Sequence, residues 1–123
     1  MTVKIEIKGI ETTRKYLEMK KKGIQIGNNK GINKASFFMQ GEVKQSIAGR
    51  RSEPTSVDTG RFLNSIDIVT FNNKGIIFTD LDYPIHLEYG TSKIRARRHF
   101  NNSKDRNKNK VKDIIKNEIN SSI

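Results

Sequence analysis

The chain opens with Val3-Lys4-Ile5-Glu6-Ile7-Lys8, an apolar and charged alternation of period two that predicts a strand ending at Gly9. From Glu11 the period lengthens. Thr12 or Thr13 can cap a helix carrying Tyr16, Leu17 and Met19, and Gly23, Gly27 and Gly31 then recur at intervals of four. Each interior glycine costs a helix about 1 kcal/mol relative to alanine. The stretch therefore reads as a frayed helix or as one whose small residues admit another backbone, with turns or a kink the simpler cause. Ile32, Ala35, Met39, Val43 and Ile47, flanked by Phe38, form a continuous stripe at spacings of three and four and predict a helix over residues 32–48. Residues 49–57 combine glycine, proline, serine and charge without periodicity and predict an exposed loop.

Asp58 or Thr59 is placed to accept backbone N–H groups at the start of a short helical turn. A hairpin follows: strands over 66–72 and 75–80 around a turn at Asn72-Asn73-Lys74-Gly75. Pro84 at a first turn, Ile85 and Tyr89 on one face, and the stop at Gly90 predict a short helix. Val111, Ile114, Ile115 and Ile119 share one face of a last helix over 102–120, whose first two turns, residues 104–110, have no apolar anchor. Together these elements predict an α+β fold in one domain over residues 1–123. A small antiparallel sheet of 3–8, 66–72 and 75–80 is packed by the long N-terminal helix and by the C-terminal helix.

Composition narrows this. With 123 residues there is room for one domain, and 33% apolar residues with a mean hydropathy of -0.70 make a thin core. No apolar run approaches the ~20 residues of a spanning helix or the ~7–15 of a secretion signal, so a soluble protein is expected. The absence of cysteine excludes a disulfide framework, a thiolate zinc site and a cysteine nucleophile, so a small scaffold must rely on packing or on partners. The net charge of +11 is segregated. Residues 11–51 carry ten basic and three acidic groups, residues 52–92 two basic and six acidic, and residues 93–116 ten basic and two acidic. Such blocks suit a polyanion or an acidic protein surface, although 16 Lys and 12 Asn also fit the codon bias of an A/T-rich genome.

Catalytic chemistry finds little support. His86, Glu88, His99 and Asp58 are the residue types of a metal or acid–base site, but His86 and Glu88, two apart, do not share a helical face. HExxH, G-x-S-x-G and phosphate-binding glycine loops are all missing, so no catalytic residue, metal ligand or cofactor is assigned. His99 beside Phe100 reads as a packed or interface histidine. The segment from Lys93 to Phe100 can contact phosphate through Arg95, Arg97 and Arg98, but no recognisable reader of nucleic acid accompanies it.

Two segments carry a family resemblance. Val57-Asp58-Thr59-Gly60-Arg61-Phe62-Leu63-Asn64-Ser65-Ile66 resembles a V-D-T-G-x-L-x-x-S-I signature. Tyr83-Pro84-Ile85-His86-Leu87-Glu88-Tyr89-Gly90-Thr91 resembles Y-A-x-x-x-E-[FY]-G-T. Both belong to the small gene-product-ten-like neck and tail-completion proteins of long-tailed bacteriophages, the head–tail joining family. Ala96-Arg97-Arg98-His99-Phe100 follows like that family's A-R-P-x-F stretch, with Arg95 and Arg98 where prolines are usual and Pro84 where alanine is usual. The motifs cover about a sixth of the chain, and element order extends the resemblance along most of it.

The resemblance implies a structural virion subunit and not an enzyme: part of a ring in the neck or tail that joins the portal and adaptor of the head to the tail tube, made in the host bacterial cytoplasm. Its implied partners are further copies of itself, the portal or adaptor, the tail tube and, non-specifically, passing DNA, with no membrane. Asp58, Thr59, Gly60, Arg61, Ser65, Tyr83, Glu88, Gly90 and Thr91 become motif residues of structural role, and Arg61 is expected to pair with Glu88. Arg50, Arg51, Arg95, Arg97, Arg98, His99 and Phe100 become interface or DNA-facing candidates. The alternative is a basic DNA-binding module using the Arg and Lys of residues 93–116; a small hydrolase or toxin-like nuclease ranks third.

Overall fold

A computed structural model describes residues 9–57 and 60–123. The strand expected over 3–8 lies outside the described residues, as do Asp58 and Thr59. The described elements are α1 (Gly9–Ile47), α2 (Arg61–Asn64), β1 (Asp67–Phe71), β2 (Lys74–Phe78), α3 (Pro84–Tyr89), α4 (His99–Arg106) and α5 (Lys108–Ser122). A long N-terminal helix, a two-stranded antiparallel sheet and a C-terminal helix pack together as an α+β fold.

Helix α1 runs unbroken through the three glycines, which corrects the expectation of a turn or kink. The glycines face α5, which returns antiparallel along α1. A Cβ on Gly23 would stand 2.5 Å from the Ser122 carbonyl oxygen, one on Gly27 2.6 Å from Ile119 Cα, and one on Gly31 2.7 Å from Ile115 Cα. Spacing of four holds one helical face, and three bare positions on it let the backbones approach closer than any side chain permits. Lys34 and Glu118 pair across the same seam. The helix ends by a Schellman arrangement: Gly49, at φ +80°, donates its N–H to Ser46 O at 3.0 Å, and the Arg50 N–H reaches Gln45 O at 2.9 Å.

The hairpin is tighter than the sequence suggests. Phe71 pairs with Lys74 across a two-residue Asn72-Asn73 turn, with Asn73 at φ +61°. Lys74 and Gly75 thus belong to β2. At Gly75 α1 crosses directly beneath, so a Cβ there would displace the Ser36 hydroxyl and stand 3.3 Å from Ile32 Cγ2. Asn28 and Asn29 of α1 bond the Asn72 and Asn73 side chains and fix the hairpin tip to the helix. Near the other end, Gln40 Nε2 donates to Ile66 O at 2.8 Å.

The predicted stripe Ile32, Ala35, Met39, Val43 and Ile47 is buried. Its last two members form the core with Phe62 and Ile66, covered by Leu63, Ile77, Leu81, Leu87 and Phe100. The C-terminal helix is two helices that meet at Asn107. The segment expected to lack an anchor is held by polar contacts instead: the Arg106 pair described below, and Asn107, whose Nδ2 donates to Ser103 O at 2.9 Å.

Candidate functional site

The three motif-bearing segments converge on one corner of the fold. Phe62 of α2 packs edge-on against Tyr83 at 5.9 Å and against the His99 ring at 6.0 Å. Glu88 of α3 is buried, and its carboxylate takes up the start of α4. It accepts the Phe100 N–H at 2.9 Å, the Asn101 N–H at 2.8 Å and Asn101 Nδ2 at 2.7 Å. A carboxylate over the free N–H groups of a helix start satisfies donors that the helix itself cannot, and meets the positive end of its dipole. Where the sequence leads one to expect Glu88 to pair with Arg61, its described hydrogen bonds run to this cap. The cap ties α3 to the start of α4.

His99 is fully buried and bonded at both ring nitrogens, with Ser46 Oγ 2.8 Å from Nδ1 and Ser56 Oγ 2.7 Å from Nε2. The directions of these bonds follow from the ends of the chain. Ser46 donates its proton to Glu53, which as a carboxylate can only accept; Arg97 Nη1 donates to Ser56 Oγ at 2.8 Å and to Thr55 O at 2.7 Å, and can only donate. Ser46 Oγ must then accept from His99 Nδ1–H, and with the buried ring neutral, as its lowered pKa favours, Ser56 donates to Nε2. The result is a one-way series from Arg97 through Ser56, His99 and Ser46 to Glu53, with a neutral imidazole protonated at Nδ1. Burial holds the His99 pKa below its ordinary 6.5, against the opposing pull of Glu88 and Glu53 and with the help of Arg97.

Glu53 sits on the 49–57 loop, but its side chain turns inward. Arg106 grips it bidentately, Nη1 to Oε2 and Nη2 to Oε1, each at 3.0 Å. This guanidinium, assisted by Ser46 and Ser52 against the cost of burial, brings the Glu53 pKa down to about 2. Beside it Arg51 bonds both oxygens of Glu42, at 2.9 and 3.0 Å, which lowers the Glu42 pKa and raises that of Arg51. The loop is exposed along most of its length yet anchored at Glu53 and Ser56.

The remaining sequence candidates divide by use. Gly60, at φ +81°, enters α2 in a conformation that favours glycine, and Arg61 begins that helix. Ser65 Oγ donates to Phe62 O at 2.7 Å and meets Thr79 Oγ1 at 2.6 Å. Gly90 has φ +79°, and a Cβ there would press on Ala96 N at 2.8 Å. Thr91 Oγ1 accepts the Lys93 and Ile94 N–H groups and closes the turn after α3. Arg97 and Arg51 are engaged inside the chain, and Phe100 is half-buried against the core. Arg98, at φ +51°, bonds Asn102 on the surface, while Arg50 and Arg95 stand exposed.

Sequence reading missed Ser46, Glu53, Ser56, Arg97 and Arg106 as one network. Their only signal is polar residues set into apolar surroundings: Ser46 beside Ile47 at the end of the core stripe, and an acidic residue inside a basic loop. Among the described residues, no group of three or more His, Asp or Glu is placed to hold a metal ion, and no helix is long and apolar enough to cross a membrane. No family model, curated protein or solved structure matches the chain.

Proposed function

We propose that this protein is a structural subunit of a tailed bacteriophage virion, part of the neck or tail-completion ring that joins the DNA-filled head to the tail. The carrying observation is that the three segments resembling the head–tail joining family are packed on one another through Phe62, Tyr83, Glu88 and His99. The thin core supports the same reading, because a subunit with exposed Tyr16, Leu17, Met19, Phe37, Ile85 and Tyr89 gains stability and covers apolar surface by assembling. The DNA-binding alternative is weakened, since Arg97 and Arg106 of its basic block are engaged in bonds within the chain.

The test is co-expression with the portal and adaptor proteins encoded by the same genome. A stoichiometric complex on purification supports the reading. A protein that ignores both, and instead binds duplex DNA tightly with a steep salt dependence, overturns it in favour of the basic DNA-binding module.

A further inference from the structure

Helix α1 outruns its partner. Helix α5 ends at Ser122, beside Gly23, so residues 9–22 continue for about 21 Å at 1.5 Å per residue past the point where α5 stops. Every side chain from Arg14 to Met19 is exposed, with Tyr16, Leu17 and Met19 at 58, 59 and 74%. A helical extension of this length is marginal in water without a packing partner. It is also basic, with Arg14, Lys15, Lys20, Lys21 and Lys22 against Glu11 and Glu18.

The opposite character appears at the far end of the molecule. A groove of 490 Å3 runs between the end of β2, α3 and the start of α4. Leu81, Pro84, Ile85, Tyr89 and Phe100 give it apolar walls, Asp82 and Glu88 supply its charged lining, and exposed Asp80 adjoins it. The arm cannot reach its own groove. Phe100, in the groove wall, packs on the core that includes Ile47, while Tyr16 lies 31 residues earlier on the same helix, about 46 Å along its axis.

We propose that the arm of one copy docks in the groove of the next, with Tyr16 and Leu17 as apolar anchors and the arm's lysines facing Asp80 and Asp82. This rests on the reading of the chain as a self-assembling ring subunit, and supplies its contact. The recognition is that of an amphipathic helix laid into an apolar groove. Charge complementarity selects the occupant: the acidic rim repels nucleic acid, and the chain itself carries a basic, apolar helix that its own fold leaves uncovered. Arm and groove are different surfaces, so the contact is head-to-tail and repeats from copy to copy, closing a ring where the rotation allows.

Two exposed-site variants test it by mass measurement in solution. Leu17→Glu spoils the arm and Ile85→Glu the groove, while thermal melts check that each remains folded. Each variant alone should associate at least ~30-fold more weakly than the parent chain. An equimolar mixture should form a dimer, because each variant retains the half that the other lacks. The absence of cysteine permits a second readout: a Leu17→Cys chain mixed with an Ile85→Cys chain should oxidise to a heterodimer in preference to a mixture of Leu17→Cys with Phe71→Cys. Rings that persist in Leu17→Glu, with no preferred disulfide, overturn the docking and leave the ring reading standing. A parent chain that stays monomeric, with no preferred disulfide between the Leu17→Cys and Ile85→Cys chains, also overturns the docking, and the ring reading then answers to co-purification with portal and adaptor.

Discussion

Four glycines of α1 separate two effects that a sequence alone cannot distinguish. Among the described residues, no atom beyond its own turn of helix lies within 4 Å of where a Cβ on Gly41 would stand, so Gly41→Ala should express the whole helix-propensity gain, about 0.5–1 kcal/mol. Unfolding entropy of ~2.1 cal/mol/K per residue over 123 residues makes 1 kcal/mol worth about 4 °C in Tm, so a rise of roughly 2–4 °C is expected. Gly27→Ala brings the same propensity gain, but its methyl would stand 2.6 Å from Ile119 Cα and 2.7 Å from Glu118 O. Both are backbone atoms of a helix, so no rotamer change relieves the clash; α5 must withdraw by about 1 Å and loosen the Ile115 and Ile119 seam. Overpacking of this kind costs about 1–3 kcal/mol, leaving a net loss near 1 kcal/mol and, since both variants share the propensity gain, a gap between them of roughly 1–3 kcal/mol, or about 4–12 °C. Gly23→Ala and Gly31→Ala should follow Gly27→Ala. Thermal and urea unfolding followed by helical circular dichroism measure all four. A Gly27→Ala protein as stable as Gly41→Ala would mean that α5 does not lie against the glycine face, and the account of the fold would fail with it.

Acid should loosen the corner where the motifs meet, in two windows. The folded pKa of His99 lies below its ordinary 6.5, so the unfolded chain takes up that proton first and stability falls as pH drops below about 6.5. Glu53 falls from its ordinary 4.5 to about 2 when folded, so its contribution is present above 4.5 and is lost between there and about 2. At about 1.4 kcal/mol for each pH unit separating those two values, discounted for the partial exposure of Arg106, Glu53 contributes on the order of 2 kcal/mol; Tm measured across pH 3–8 should show both windows in the parent chain, and Glu53→Gln should flatten the lower one. Phe62→Ala should cost about 3–5 kcal/mol by emptying the site between Ile47, Tyr83 and His99, read as a lower urea midpoint. Glu88→Ala removes the acceptor for two α4 N–H groups and should cost about 1–2 kcal/mol, with amide exchange rising first at Phe100 and Asn101; unchanged exchange there would contradict the cap.

Much of the fold is legible in the sequence where one physical rule acts alone. The α1 stripe from Ile32 to Ile47 and the alternation around Asn72-Asn73 are periodic signals that tertiary contacts merely complete. The glycines at 23, 27 and 31 are ambiguous because propensity reads them as breaks, whereas packing reads them as a seam; only the presence of α5 decides. The split at Asn107 is hidden for a related reason. Lys, Asn and Arg look solvated in a helix pattern, and nothing local reveals that Arg106 reaches a carboxylate 53 residues earlier. The same holds for Ser46, Ser56 and His99: their partnership is written in long-range geometry, not in spacing. Glu88 and Gly90 stand out through family likeness, and the structure supplies their physical roles as helix cap and close backbone approach.

Whether the subunit works by assembling or by binding DNA shows in the mass of the purified protein in solution. Light scattering should be run with and without duplex DNA, at about 50 and 200 mM salt. An assembling subunit gives a concentration-dependent species of several copies, built by arm-to-groove contact, whose mass hardly responds to DNA at either salt. A monomer that binds DNA tightly at low salt and releases it at the higher concentration would contradict it, and would leave the basic residues of α4 and α5 as the functional surface.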